Sequence, residues 1–161
     1  MTRRLFLLPI VCFLLMAANT GSATYEPVQI VNLTSKPIVA ASLNGTKAYF
    51  IVDTGSGITL LNKNDKATYE FKTTSSPLFE QHAIDLKGNT TELLDAHKVN
   101  LMVGNTQIKT HFMSCDMDRV VASVKRRTGY TVQGIIGSDV MKKYRVMIDY
   151  EKEVLVFKPK K

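Results

Sequence analysis

The sequence predicts an all-β domain. Short apolar or alternating runs recur along the chain, and turns that contain glycine or asparagine separate them. Helix signals are confined to two short stretches, Asp118 to Arg127 and Ser138 to Lys143. Strands of this length at this spacing favour a barrel or a sandwich. We therefore expect one small β domain with one or two short helices.

Four hairpins are expected in this domain, each with a turn signal between two strand-like runs. Their turns are Asn44-Gly45, Gly88-Asn89, Gly104-Asn105 and Glu151-Lys152-Glu153. The flanking runs are Pro37–Leu43 with Ala48–Asp53, Ile84–Leu86 with Thr90–Leu94, Val99–Val103 with Ile108–Phe112, and Met147–Tyr150 with Val154–Phe157.

The N-terminal stretch has the features of a secretory signal. Two arginines precede an apolar run from Leu5 to Ala18, and Gly21-Ser22-Ala23 supplies the small residues of a cleavage point. The run is about 14 residues long, whereas a spanning helix needs about 20. We expect a signal peptide at 1–23 and a mature domain at 24–161 without a membrane span, located in the periplasm or outside the cell. Retention of the segment would instead anchor the protein in a membrane.

The charge and the cysteines limit the function classes. The chain has 21 Lys+Arg and 14 Asp+Glu, a formal net charge of +7. The basic residues form short scattered runs without interleaved aromatic residues, so no nucleic-acid partner is expected. Cys115 would be the single cysteine of the exported part, and we expect a buried thiol without a disulfide. His82, His97 and His111 lack the spacing of metal ligands, so no metal or cofactor is expected.

One stretch carries an unusual combination of residues. The apolar run Phe50 to Val52 leads directly into Asp53, and Thr54-Gly55-Ser56-Gly57 follows. A carboxylate at the end of an apolar strand is half-buried, which is costly unless the group is paired or functional. About 80 residues later the chain reads Gly134-Ile135-Ile136-Gly137-Ser138-Asp139. The pairing of these two stretches is far more specific than an isolated Asp-Thr-Gly.

Together these stretches resemble the two landmarks of the retroviral-type, or retropepsin-like, single-domain aspartic proteases. Residues 51–57 resemble the active-site turn, and residues 134–141 resemble the apolar pair, glycine and short helix that accompany it. The resemblance extends in order and spacing from Val28 to Phe157. It implies a closed acid-protease barrel of the retropepsin type, equivalent to one pepsin-like lobe. A glycan on the sequon at Asn89 would obstruct the site, which favours an exported bacterial member.

The resemblance also implies roles for individual residues. Asp53 would be the catalytic acid, and Thr54 would hydrogen-bond the backbone of an opposite loop. The Gly55 N–H would point at the carboxylate, and the Ser56 hydroxyl would donate to the outer carboxylate oxygen. Ile135, Ile136 and Gly137 would pack beneath the loop and wall the site.

The implied chemistry needs two carboxyl groups. Two carboxyls held close together share one proton, so that one activates water while the other donates to the peptide carbonyl. The sequence has a single Asp-Thr-Gly, at Asp53. The simplest completion is a homodimer in which each chain contributes Asp53, acting on a peptide or protein substrate.

The remaining assignments concern the flap and the alternatives to catalysis. The hairpin Ile84 to Leu94 would be the flap over the site, with its tip at Lys87, Gly88 and Asn89. The stretch 114–134 is longer and more basic than a minimal retroviral-type protease requires.

A second function class is a catalytically inactive exported domain that keeps the barrel and binds or displays peptides. A third is a basic module that binds acidic surface polymers.

Overall fold

The computed structural model of the protein describes residues 27–75, 83–84 and 90–157. The prediction of an all-β domain with short helices is confirmed. The strands of the described part are β1 Pro27–Asn32, β2 Ile38–Leu43, β3 Thr46–Val52, β4 Leu60–Asn62, β5 Lys72–Ser75, β6 Ala83–Ile84, β7 Thr90–Thr91, β8 Leu94–His97, β9 Leu101–Val103, β10 Thr106–Ile108, β11 Met113–Cys115, β12 Gly134–Ile136, β13 Met147–Asp149 and β14 Val154–Val156. The helices are α1 Asp118–Thr128 and α2 Ser138–Lys143, and a 3₁₀ turn spans Lys63–Asp65.

Twelve strands form one sheet, and its main path runs β13-β14-β1-β2-β3-β12-β4-β11-β8-β5. The expected closure of the barrel is wrong for the described residues, because β13 and β5 end this path without pairing with each other. The second edge of β2 is divided: its first residues pair with β1 and its last two, Ser42 and Leu43, pair with β9. The sheet therefore branches at β2 rather than closing.

The expected hairpins form in the described part. Asn44 and Gly45 both have positive φ, 50° and 85°, as a two-residue turn of the primed type requires. β9 pairs with β10 around Gly104, but β10 ends at Ile108 and does not extend to Phe112 as expected. β13 pairs with β14. β6 pairs with β7 as expected for the flap base. The flap tip at Lys87, Gly88 and Asn89 lies outside the described residues and stays a prediction.

The apolar run before Asp53 is buried on both faces. Phe50 and Val52 belong to the main core, whereas Ile51 points into a second cluster with Ile38 and Val132. This happens because β3 lies inside the sheet, between β2 and β12, and has apolar packing on each side. Burying a side chain of this size stabilises a fold by about 1.5–3 kcal/mol. The end of β3, and hence Asp53, is therefore held firmly.

Both predicted helices are present. α1 packs Val124 and the partly buried Val121 against the core, whereas Val120, an apolar residue of the same helix, is 41% exposed. The residue preceding α2 is Gly137 in extended conformation, and no side chain caps the start of this helix.

Within the described residues, no helix combines the length and apolar character needed to cross a membrane. The expected signal peptide at 1–23 falls in the part that the structure does not describe, and it stays a prediction.

Candidate active site

The loop that follows β3 crosses over the end of β12. β12 pairs in parallel with β3 on one side and antiparallel with β4 on the other. Since β3 and β4 flank β12, the connection 53–59 must pass over the residues that leave β12. The two stretches singled out in the sequence are therefore brought together.

Asp53 is fixed by three backbone hydrogen bonds. Its N–H donates to the Ile136 carbonyl at 3.0 Å, and its own carbonyl accepts from the Ser56 N–H at 3.1 Å. The Gly55 N–H donates to Asp53 Oδ1 at 3.0 Å, as the resemblance implies. The Asp53 side chain is 18% exposed. One oxygen of the carboxylate is thus held by the loop itself.

The other carboxylate oxygen has a partner that sequence reasoning missed. The Lys36 ammonium group donates to Asp53 Oδ2, and the two side chains form an ion pair. The signal was present in the sequence: a two-residue turn at Asn44-Gly45 pairs Leu43 with Thr46, and the same register continued outward places residue 36 opposite residue 53.

Ser56 and Thr54 differ in how far they match the implied roles. The expected donation from Ser56 to the carboxylate is wrong in this chain, because Ser56 Oγ donates to the Ile58 carbonyl at 2.7 Å. The Ser56 carbonyl also accepts from the Ser138 N–H at 2.8 Å, which ties the loop to α2. Ser56 therefore stabilises the loop rather than the carboxylate. Thr54 is exposed, and no hydrogen bond of its side chain forms within the described residues.

The close backbone approach occurs at Gly137. A Cβ placed on Gly137 would lie 2.3 Å from the Ile58 carbonyl oxygen, and one on Gly134 would lie 2.2 Å from the Leu60 carbonyl oxygen. A Cβ on Gly55 would meet only Asp53 Oδ1, at 3.3 Å. The glycines of the second stretch therefore permit the loop to cross β12, whereas Gly55 contributes its N–H.

The buried Thr59 hydroxyl stabilises the crossing of the loop over β12. Thr59, which is fully buried, accepts a hydrogen bond from the Gly137 N–H at 3.0 Å and donates to Asp139 Oδ1 at 2.8 Å. Asp139 Oδ2 accepts from Thr110 Oγ1 at 2.9 Å. No pattern in the sequence linked these three residues, because the contacts join positions far apart in the chain.

The apolar residues beside the loop point to different layers. Ile136 is buried in the main core below Asp53, while Ile135 is partly buried and packs against the two smaller clusters. Their implied role in walling the site stays a prediction.

The arrangement presents one carboxylate at the surface of the sheet. In the described part of the chain, no second carboxyl group is hydrogen-bonded to Asp53, and no three His, Cys, Asp or Glu side chains gather as metal ligands. A single carboxylate, with one oxygen bound by a backbone N–H and the other paired with Lys36, can supply half of an acid–base pair.

The chain is similar in structure to solved proteases and to a protease-like domain. It aligns with "EIAV protease complexed with the inhibitor HBY-793" at 17% identity and a TM-score of 0.50, covering 70% of this chain and 90% of that one. The retroviral protease-like domain of Ddi1 from Leishmania major aligns at 16% identity and a TM-score of 0.50, covering 80% of this chain and 97% of that one.

A retropepsin-like aspartic protease from Rickettsia conorii aligns at 15% identity and a TM-score of 0.50, covering 83% of this chain and 94% of that one. No protein-family model and no curated protein matches the sequence. The identities are low, so these likenesses bear on the fold alone. The chain has the fold of the retropepsin-like aspartic proteases.

Proposed function

We propose that the protein is an aspartic endopeptidase that hydrolyses peptide bonds with water activated by two Asp53 carboxyls, one from each chain of a homodimer. The observation that carries the proposal is the position of Asp53. Asp53 directly follows β3, which is buried on both faces, and begins the loop that crosses β12. One oxygen of its carboxylate is bound by the Gly55 N–H. The retropepsin-like fold supports a hydrolase of this class.

The dimer follows from the chemistry of the dyad. Hydrolysis without a covalent step needs one carboxylate to accept a proton from water and one carboxylic acid to donate to the carbonyl. Each chain supplies one Asp-Thr-Gly carboxyl. A two-fold dimer would bring two such loops together, with the exposed Thr54 free to bond the opposite loop. No metal or cofactor enters this mechanism.

The test is cleavage of denatured casein by the mature protein across a pH series, with and without a statine-type inhibitor. The rate should be highest at acidic to mildly acidic pH, because the dyad must keep one shared proton. Asp53→Asn should abolish cleavage while the thermal melt stays close to wild type. Glu151→Gln, which removes one charge in the exposed turn between β13 and β14, is the matched control.

The dependence of specific activity on protein concentration tests whether the active site needs a second chain. Specific activity should fall on dilution, since dissociation separates the two carboxyls. Cleavage by a species that sediments as a monomer would reject the dimer. Cleavage by Asp53→Asn would reject Asp53 as the catalyst. A folded wild-type protein that shows no cleavage would support the inactive peptide-binding alternative.

Export is part of the proposal. A working protein that lacks residues 1–23 would agree with a signal peptide and a periplasmic or extracellular location. Intact mass of the protein isolated from its compartment gives the answer, and retention of the segment would indicate a membrane-anchored form.

A further inference from the structure

A second concave site lies on the sheet away from Asp53. It is a pocket of about 380 Å³ lined by residues 96–99 and 107–112. Its apolar lining side chains are the partly buried Ala96 and Val99, while Ile108 and Phe112 belong to the core behind them. Its strand β8 is separated from β3 in the sheet order by β12, β4 and β11. The pocket is therefore distinct from the candidate active site.

The rim of this pocket carries two lysines and two histidines. Four exposed side chains line it, His97, Lys98, Lys109 and His111, and no carboxylate is among the lining residues. The ion pairs found among the described residues involve neither Lys98 nor Lys109. Two carboxylates contact lining residues: the buried Asp95 lies 2.9 Å from His111 Nε2, and Asp139 Oδ2 accepts from Thr110 Oγ1 at 2.9 Å. We call this site the cationic pocket.

Two hydrogen bonds hold the β10 wall of the cationic pocket in place. The Lys109 N–H donates to Tyr144 Oη at 2.6 Å, and Tyr144 Oη donates to the Gln107 carbonyl at 3.1 Å. The backbone that carries Lys109 is therefore fixed before any ligand arrives.

The opposite wall is fixed in the same way. The Lys98 carbonyl accepts from Asn44 Nδ2 at 2.9 Å, and the His97 ring is bonded through Nε2 to Thr74 Oγ1 at 2.8 Å. Preformed walls reduce the ordering cost of binding.

We propose that the cationic pocket binds an acidic segment of a peptide, with glutamate or aspartate carboxylates at the two lysines and aliphatic stems against Ala96 and Val99. The size falls in the range of ligand-binding clefts. Lys98 and Lys109, which form no ion pair among the described residues, lie beside the aliphatic Ala96 and Val99. This combination matches a side chain that is charged at its tip and apolar along its stem. If the chain cleaves peptides as proposed above, the pocket would select substrates with acidic stretches; that role rests on the proposed function.

The experiment measures binding of a fluorescein-labelled hexaglutamate peptide to the full mature chain by anisotropy, with a hexaglutamine peptide as the uncharged probe. The assay uses low salt, because exposed charges are screened. Lys98→Gln/Lys109→Gln should weaken hexaglutamate binding by about fivefold or more, whereas Lys98→Arg/Lys109→Arg should keep it. Lys125→Gln/Arg126→Gln, which removes the same charge from α1, is the matched control and should leave affinity within about twofold.

Equal losses in the Lys98/Lys109 and Lys125/Arg126 variants would mean that net charge alone attracts the peptide, and would overturn the proposal. So would equal affinity for hexaglutamine, or displacement by tripolyphosphate at lower concentration than by unlabelled hexaglutamate. The binding readout does not depend on catalysis, so Asp53→Asn should bind like wild type. Absent binding with retained casein cleavage would reject the pocket alone, and binding without cleavage would reject only the proposed function.

Discussion

Lys36 lies opposite Asp53 across the extension of the β2–β3 pair, and its ammonium group is bonded to Asp53 Oδ2. The Val52 N–H donates to the Pro37 carbonyl at 2.8 Å, which carries the register of the hairpin out to these two residues. Lys36 is 54% exposed at its side chain, whereas Asp53 is 18% exposed. A cation therefore sits at the carboxylate that a second Asp53 would have to approach.

Lys36→Gln should weaken the proposed dimer severalfold at pH 7. Two ionised carboxylates brought together repel, and a neighbouring ammonium group offsets part of that repulsion. The effect on folding of the single chain should be below about 1 kcal/mol, because the Lys36 side chain is 54% exposed and the pair is screened by solvent. Sedimentation at several concentrations measures the dimer, and thermal melting at fixed concentration measures the fold.

A double-mutant cycle isolates the pair. In the Asp53→Asn background no carboxylate charge remains, so adding Lys36→Gln should leave the dimer affinity unchanged. An equal loss of affinity in both backgrounds would show that Lys36 acts through contacts other than Asp53.

Cys115 should resist alkylation in the folded protein. Burial raises the pKa of its thiol to about 11, and the Asp116 carboxylate adds to the rise. The side chain is also buried, as expected from the sequence. At pH 8 the thiolate, which is the reactive form, is therefore scarce as well as shielded. Peptide mass mapping after iodoacetamide should find Cys115 modified only when denaturant is present, and rapid modification of native protein would contradict the burial.

Local signals predicted the elements whose residues interact with near neighbours. Asn44-Gly45 predicted its hairpin because both positions need positive φ, and the periodicity of Asp118 to Arg127 predicted α1. The apolar lead-in to Asp53 was explained by burial on both faces of β3. These features depend on backbone preference and burial, which the sequence displays directly.

Features that join distant segments could not be read in the same way. Thr59, Thr110 and Asp139 look like ordinary polar residues until the crossing over β12 brings them together. Closure of the sheet depends on how β2 divides its edge between β1 and β9, and no local pattern records that division. The direction of the Ser56 hydroxyl was inferred from the resemblance, whereas in this chain the hydroxyl donates to the Ile58 carbonyl.

Gly137→Ala should destabilise the protein by about 1–3 kcal/mol or more. The added Cβ would lie 2.3 Å from the Ile58 carbonyl oxygen, a backbone atom that cannot swing aside like a side chain. Gly57→Ala is the control in the same region, because a Cβ there meets nothing within 4 Å. Thermal melting of the two variants at equal concentration decides the matter, and similar melting temperatures would contradict the tight crossing.

Thr59→Val should cost about 1–3 kcal/mol of stability and lower any catalytic rate, because it removes the hydroxyl while nearly keeping the side-chain shape. The Gly137 N–H would lose its acceptor and Asp139 Oδ1 would lose a donor, both beside the loop that holds Asp53. Thr110→Val removes the other hydroxyl bonded to Asp139, at a less buried position, and should cost about 0.5–1.5 kcal/mol.

Chemical denaturation at fixed protein concentration compares these two variants, since association also contributes to apparent stability. The casein assay then shows whether removal of the Thr59 hydroxyl also lowers the cleavage rate that depends on Asp53. The backbone route is short: Gly137 follows Ile136, whose carbonyl accepts from the Asp53 N–H at 3.0 Å. A Thr59→Val protein with wild-type stability would mean that water replaces the hydroxyl, and the buried bond would then not fasten the crossing of β12.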